Sequence, residues 1–153
     1  VLLVKKICEL IESGADFETV VEKAELYSRH THVVFALSSF NNLVKNGRMS
    51  KIVGFVANKL GFWGIGIGSE QGTIEIKQKI RGSKKALDAI IEDMKERGYN
   101  CGKVVISHCR NAEFAESVKS AIQSVWDKAE VKIVRARGLC SYYAEKGGLI
   151  IGF

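Results

Sequence analysis

Two arginines stand beside glycine turns: Arg48 directly after Asn46-Gly47, and Arg81 directly ahead of Gly82-Ser83. A guanidinium held at a turn is a planar fork of donors, shaped for a carboxylate or a phosphate. At Arg81, the Ser83 hydroxyl and the free N–H groups of a helix starting there would add to an anion site, although a plain surface arginine fits the same spacing. A third candidate is the polar stretch Cys140-Ser141-Tyr142-Tyr143, ahead of Glu145-Lys146-Gly147-Gly148 and a final apolar run. It reads as a loop at a strand end, a common place for function in α/β proteins.

Other chemistries lack their parts. There is no G-x-S-x-G, no P-loop and no H-E-x-x-H, and no nucleophile–base pair is recognisable. His30-Thr31-His32 and His108-Cys109 could meet around a metal. The cysteines Cys8, Cys101, Cys109 and Cys140 nevertheless form no C-x-x-C pair, and structural zinc takes its ligands in tight pairs. They read as reduced thiols of a cytoplasmic protein, with no metal and no cofactor.

The run Gly64-Ile65-Gly66-Ile67-Gly68 invites a dinucleotide reading, but Ser69 stands where G-x-G-x-x-G needs its third glycine. It also leads into a turn and not a helix. Glycines at every second position strip one face of a strand, so that a neighbouring backbone or a ligand can come close; tight packing against the preceding helix is the alternative. The longer apolar run from Ile52 to Gly68 carries Asn58, Lys59 and five glycines. That makes it poor material for a membrane span, which needs about 20 mostly apolar residues.

The elements that must position these groups follow from periodicity. Apolar residues at helical spacing predict a helix from Val1 to Ser13 that stops at Gly14. Asp16 is expected to cap a second helix, Phe17 to Ser28, with Val20, Val21, Ala24 and Tyr27 inward. Val33 to Leu37 reads as a strand covered on both faces. Ser38 or Ser39 is then expected to cap a short helix, Phe40 to Lys45, and Ser50 to cap a largely buried one, Lys51 to Leu60. Trp63 to Gly68 and Thr73 to Arg81 form a hairpin, the second strand alternating Ile74, Ile76 and Ile80 against Glu75, Lys77 and Lys79. A helix from Ser83 that ends at Gly98, a strand from Lys103 to His108, a helix from Asn111 to Trp126 and the strands Val131 to Arg135 and Leu149 to Phe153 follow. The fold expected is α/β: a mixed sheet with helices packed on its faces, preceded by a helical segment. Residues 1–32 form the lead-in and 33–153 one compact domain.

A chain of 153 residues suits one such domain, and its 46% hydrophobic and 26% charged residues are ordinary for a globular protein. The net charge of +6 is spread along the chain and mixed with 17 acids. A nucleic-acid binder concentrates its excess on one face, so no nucleic-acid partner is expected.

Three segments together resemble the second half of the DegV family: KNGRMSKI, then KIRGSKKALDAI, then GLCSYYAEKGGLIIGF. The resemblance covers essentially the whole chain and corresponds to the family's C-terminal lobe and the helices leading into it; the N-terminal lobe is absent. It implies a two-lobed α/β protein that holds a long-chain fatty acid between the lobes, some members serving as acyl-carrier subunits of a fatty acid kinase. By that resemblance Phe55, Leu60, Phe62, Trp63 and Ile65 line the acyl chain. Tyr143, standing where many members have a histidine, lies near the head group. Arg48 and Arg81 face the kinase partner. The chain is thus expected to bind lipid without being an enzyme itself. The alternative is an enzyme acting on an acyl or small phosphorylated substrate when the N-terminal lobe is present. Without that lobe, the fragment is expected to expose an apolar patch and to self-associate.

Overall fold

The computed structural model of the chain describes residues 1–49, 62–69 and 73–153. The helix expected over Lys51 to Leu60 lies outside them. The helical repeat at the start gives α1 (Leu2–Glu12), which buries Leu2 and Leu10. α2 (Phe17–Arg29) begins as its sequence predicts, the Asp16 carboxylate accepting from the Thr19 N–H at 2.8 Å. The expected inward stripe of α2 is not buried, however, and Val21 is 40% exposed. α1 is its main neighbour among the described residues, so the stripe is only half covered.

β1 (Val33–Leu37) is followed by α3 (Asn41–Lys45), then by the hairpin of β2 (Phe62–Gly68) and β3 (Ile74–Arg81). Next come α4 (Ser83–Glu96), β4 (Lys103–His108), α5 (Ala112–Val125), β5 (Glu130–Arg135), α6 (Gly138–Ala144) and β6 (Leu149–Gly152). The described strands form one sheet in the order β3-β2-β1-β6-β4-β5. Only β4 and β5 pair parallel, joined by α5 as a crossover; the other pairs are antiparallel, so the sheet is mixed as expected.

Alternation along the strands gives the sheet two apolar faces. Val34, Ala36, Ile65, Val104, Ile106, Leu149 and Ile151 pack beneath α4 and α5 against Ile90, Met94, Phe114, Val118 and Ile122. Burying each such side chain stabilises the fold by about 1.5–3 kcal/mol. On the opposite face Phe35, Leu37, Phe40, Leu43 and Ala144 form a second, smaller cluster. β1 feeds both clusters, which is why its sequence is apolar throughout.

The alternation predicted for β3 is broken. Its register with β2 shifts between Ile65 and Gly66, so Gly66 pairs with Ile76 and Ile65 with Gln78. Lys77 is the extra residue of a bulge, and Ile76 and Ile80 consequently join opposite clusters. The bulge brings the Lys77 ammonium over α4, where it meets Asp93 and Glu96, both at 2.9 Å. Asp93 is buried and also accepts from Arg97 Nε at 2.9 Å, so its carboxylate has two cationic partners. Those bonds, the Asp93 one first, hold the Lys77 ammonium above its ordinary range.

Candidate functional site

The face of the sheet away from α4 and α5 is covered only in part. A cavity of about 350 Å³ opens there between α1 and the strands, lined by Leu2, Val33, Val105, Val134, Cys140 and Ile150 among others, with mostly carbon at its surface. Ile150 also packs against the second cluster, as does the half-buried Tyr143. Ile150 therefore links the cavity to the cluster against which Tyr143 packs, with Phe35 buried beneath. His32 lines the cavity too. Burial first, and then the Arg97 guanidinium, hold its imidazole below the ordinary range, which favours the neutral ring.

The paired glycines of β2 face this side. A Cβ on Gly64 would overlap the ring of Phe40, and one on Gly66 would overlap the ring of Phe35 and the Glu75 carbonyl. At these positions the space goes to phenylalanines from β1 and the turn after it; the packing expected against the preceding helix lies outside the described residues. Phe62, two residues before Gly64, shares their face. Trp63 and Ile65 point the other way. Trp63 lies against Phe114, ring centroids 4.8 Å apart, and Ile65 is 1% exposed in the helix-side core. Phe55 and Leu60 lie outside the described residues.

Residues 138–144, expected as a loop, form the short helix α6. Nothing in GLCSYYA forbids a turn of helix, and Ala144 and Tyr143 supply an apolar side to dock on the second cluster. The helix ends at Glu145, whose φ of 51° turns the chain sharply. The turn aims the Glu145 carboxylate at the start of α3. One oxygen accepts from the Asn42 N–H at 2.7 Å and the other from the Ser39 hydroxyl at 2.5 Å. Where a cap by Ser38 or Ser39 was expected, a carboxylate from a distant loop takes the Asn42 N–H, and the residue at the cap position, Phe40, makes no side-chain cap bond. Asn42 Nδ2 donates to the Tyr142 carbonyl at 2.7 Å, and Asn46 Nδ2 donates to the Tyr142 hydroxyl at 3.0 Å. α3 and α6 are therefore locked together beside Tyr143. Glu145 was missed as a positioning residue: its partner lies about a hundred residues away, and two serines already stood where a cap was needed.

Arg48 and Arg81 are both exposed. Arg48 follows α3, its N–H donating to the Leu43 carbonyl at 2.8 Å. Arg81 closes β3 opposite Phe62, and α4 starts after Gly82 without a side-chain cap. Among the described residues no group of three or more histidine, cysteine or acidic side chains is placed to hold a metal ion. Among them also, no helix is long and apolar enough to cross a membrane.

The DegV family profile matches residues 1–153. A DegV domain-containing protein of Streptococcus pyogenes serotype M1 is 43% identical over 152 residues, covering 99% of this chain and 54% of the relative. The fatty acid kinase (Fak) B3 protein of Streptococcus pneumoniae, solved loaded with linoleic acid, superposes with a TM-score of 0.96 at 41% identity, over 99% of this chain and 54% of that one. A DegV family protein of Eubacterium eligens loaded with heptadecanoic acid gives a TM-score of 0.95 at 36% identity, over 99% and 55%. The chain spans about half the length of the relatives it matches. On the match along its whole length, and on the shared sheet and helices, the chain belongs to the DegV family.

Proposed function

We propose that the protein binds a long-chain fatty acid and serves as the non-catalytic acyl carrier that presents it to a separate kinase in the cytoplasm. The observation that carries this is the apolar cavity at Leu2 and Val134, linked through Ile150 to the cluster against which Tyr143 packs, on the face of the sheet that α4 and α5 leave open. Such a lining suits an alkyl chain, since each buried methylene stabilises the complex by about 0.8 kcal/mol. The fatty acids bound by the S. pneumoniae and E. eligens proteins support the same ligand class.

In this reading Tyr143 stands at the head group and Phe62 touches the chain from β2. Trp63 and Ile65 support that wall from its far side, and Phe55 and Leu60 complete it. Residues 33–153 form one lobe behind the lead-in of residues 1–32. The opposite wall comes from the part of the relatives' length that this chain does not span. Taken alone the chain would self-associate through α1 and α2, where Val4, Ile11, Phe17 and Leu26 are exposed. Arg48 and Arg81 would meet the kinase.

Native mass spectrometry of the intact protein, followed by extraction, tests the ligand. A fatty acid in near one-to-one amount is expected; an empty protein that also refuses added fatty acid overturns the proposal. Arg48→Ala should leave lipid retention within about twofold and weaken kinase coupling by about tenfold, the size of one lost charge-assisted contact. Lipid loss with intact coupling would refute the partner role.

A further inference from the structure

A second cavity, of about 500 Å³, lies at the C-terminal ends of the parallel strands β4 and β5, lined by His108, Arg110, Arg135, Ser141, Tyr142 and Lys146 among others. Three chain segments enclose it: the β4–α5 turn, the β5–α6 turn, and α6 with the residues after it. Hydrogen bonds tie them together. The Ala136 N–H donates to the His108 carbonyl at 2.9 Å, the Gly147 N–H to the Cys109 carbonyl at 2.8 Å, and Asn111 Nδ2 to the Gly147 carbonyl at 2.8 Å. The cavity is therefore part of the framework and not a gap between loose loops.

Its charge is of one sign. Arg110, Arg135 and Lys146 line it and no acidic side chain does. None of the three has a carboxylate within ion-pair distance among the described residues. Glu145, the nearest acid in sequence, is turned away to Ser39 and Asn42. His108 and Arg135 are register partners on neighbouring parallel strands, which puts their backbones about 4.8 Å apart and their side chains on one face.

The recessed histidine is the second, independent sign. His108 is 7% exposed, and its Nδ1 accepts from the Asn111 N–H at 3.1 Å. An accepting Nδ1 carries no proton, so in the neutral ring the proton sits on Nε2. That N–H has no partner among the described residues, and the residue lines the cavity. No buried side-chain nitrogen is left without a partner among the described residues, so this N–H is reachable from the cavity and open to an acceptor that enters it.

The geometry points to a binding site for a phosphate group, held by the guanidinium forks of Arg110 and Arg135, the Lys146 ammonium and the His108 Nε2–H. A dianion with three oxygens to share matches several cations around one space, whereas a carboxylate would leave most of them unanswered. The cavity has room for a phosphate with a small organic remainder. The site does not depend on the acyl reading: the apolar cavity is lined by a different set of residues.

The test is a titration of the intact, lipid-free protein with inorganic phosphate at constant ionic strength, followed by amide NMR spectra. Saturable shifts are expected at Cys109, Arg110, Asn111 and Ala136. Acetate at the same ionic strength should bind at least about tenfold more weakly. Arg110→Gln and Arg135→Gln, both exposed and so compatible with folding, should each weaken phosphate binding by about tenfold. Lys84→Gln on α4 should leave it unchanged. Glycerol phosphate in place of inorganic phosphate separates the sources: tighter binding marks a phosphorylated small molecule, weaker binding free phosphate. Shifts that never saturate, acetate binding as well as phosphate, or equal losses in the Lys84 and Arg135 variants would overturn the site.

Discussion

The two faces of the sheet are built from the same strands and differ in what covers them. On one, α4 and α5 lie across the strands, and Val34, Ile106, Leu149 and Ile151 are wholly buried. On the other, cover comes in pieces, from α1, α3 and α6, and Ser107, Val134 and Ile150 stay partly exposed around a cavity. Adjacent residues of β6 show the contrast at closest range: Ile151 is sealed while Ile150 borders open space. Stability is concentrated where the helices pack, and room for a ligand is kept where they do not.

The comparison breaks most readily by truncation. Ile106→Ala should cost about 2–5 kcal/mol, because the cavity it leaves lies in a closed core. Val134→Ala on the open face should cost under about 1 kcal/mol. Chemical denaturation of both variants checks this, and equal losses would mean that the open face carries as much of the fold as the closed one. Next in size is Gly66→Ala, expected to destabilise by about 1–3 kcal/mol, since its Cβ must displace the Phe35 ring and the Glu75 carbonyl. A neutral result would show that β2 and its neighbours yield easily on the open side.

Glu145→Ala sharpens the contrast within the open face. Removing the carboxylate leaves the Asn42 N–H and the Ser39 hydroxyl without their acceptor, at about 1–2 kcal/mol. It should also raise amide exchange across α3 and α6 while leaving α4 and α5 unchanged. Uniform exchange through the molecule would argue against a local clip.

The smallest effect is one of pH. His32 has a folded pKa depressed below 6.5, burial being the main cause. Its contribution to stability is therefore present above pH 6.5 and is lost as the pH falls, because the unfolded chain takes up the proton first. His32→Phe should flatten that acid-side slope in denaturation curves measured at successive pH values. An unchanged slope would assign it to carboxylates.

Much of this was legible in the sequence where local periodicity and local chemistry agree. The Asp16 cap, the amphipathic α4 and α5, and the fully apolar β1 all follow from neighbours within a few residues. What stayed hidden depends on partners far along the chain. The bulge at Lys77 answers to Asp93 and Glu96 on α4, and strict alternation gave no hint of it. Likewise Glu145 caps a helix about a hundred residues earlier. Trp63 and Ile65 look like lining residues in a run of apolar and glycine residues, because a sequence does not say which parity faces the helices. The basic cavity at His108 escaped for the same reason: its residues come from three separate turns, each unremarkable alone.

The position of β6 has a consequence for the protein's birth on the ribosome. The strand sits between β1 and β4, yet it follows both in the chain. Until it emerges, β3-β2-β1 and β4-β5 can form only as two separate half-sheets, each ending in a bare apolar edge. At about 5–20 residues per second, that state lasts a few seconds in every round of translation. The nascent chain therefore offers two sticky edges to chaperones, or to a neighbouring copy on the same messenger, before β6 covers both at once.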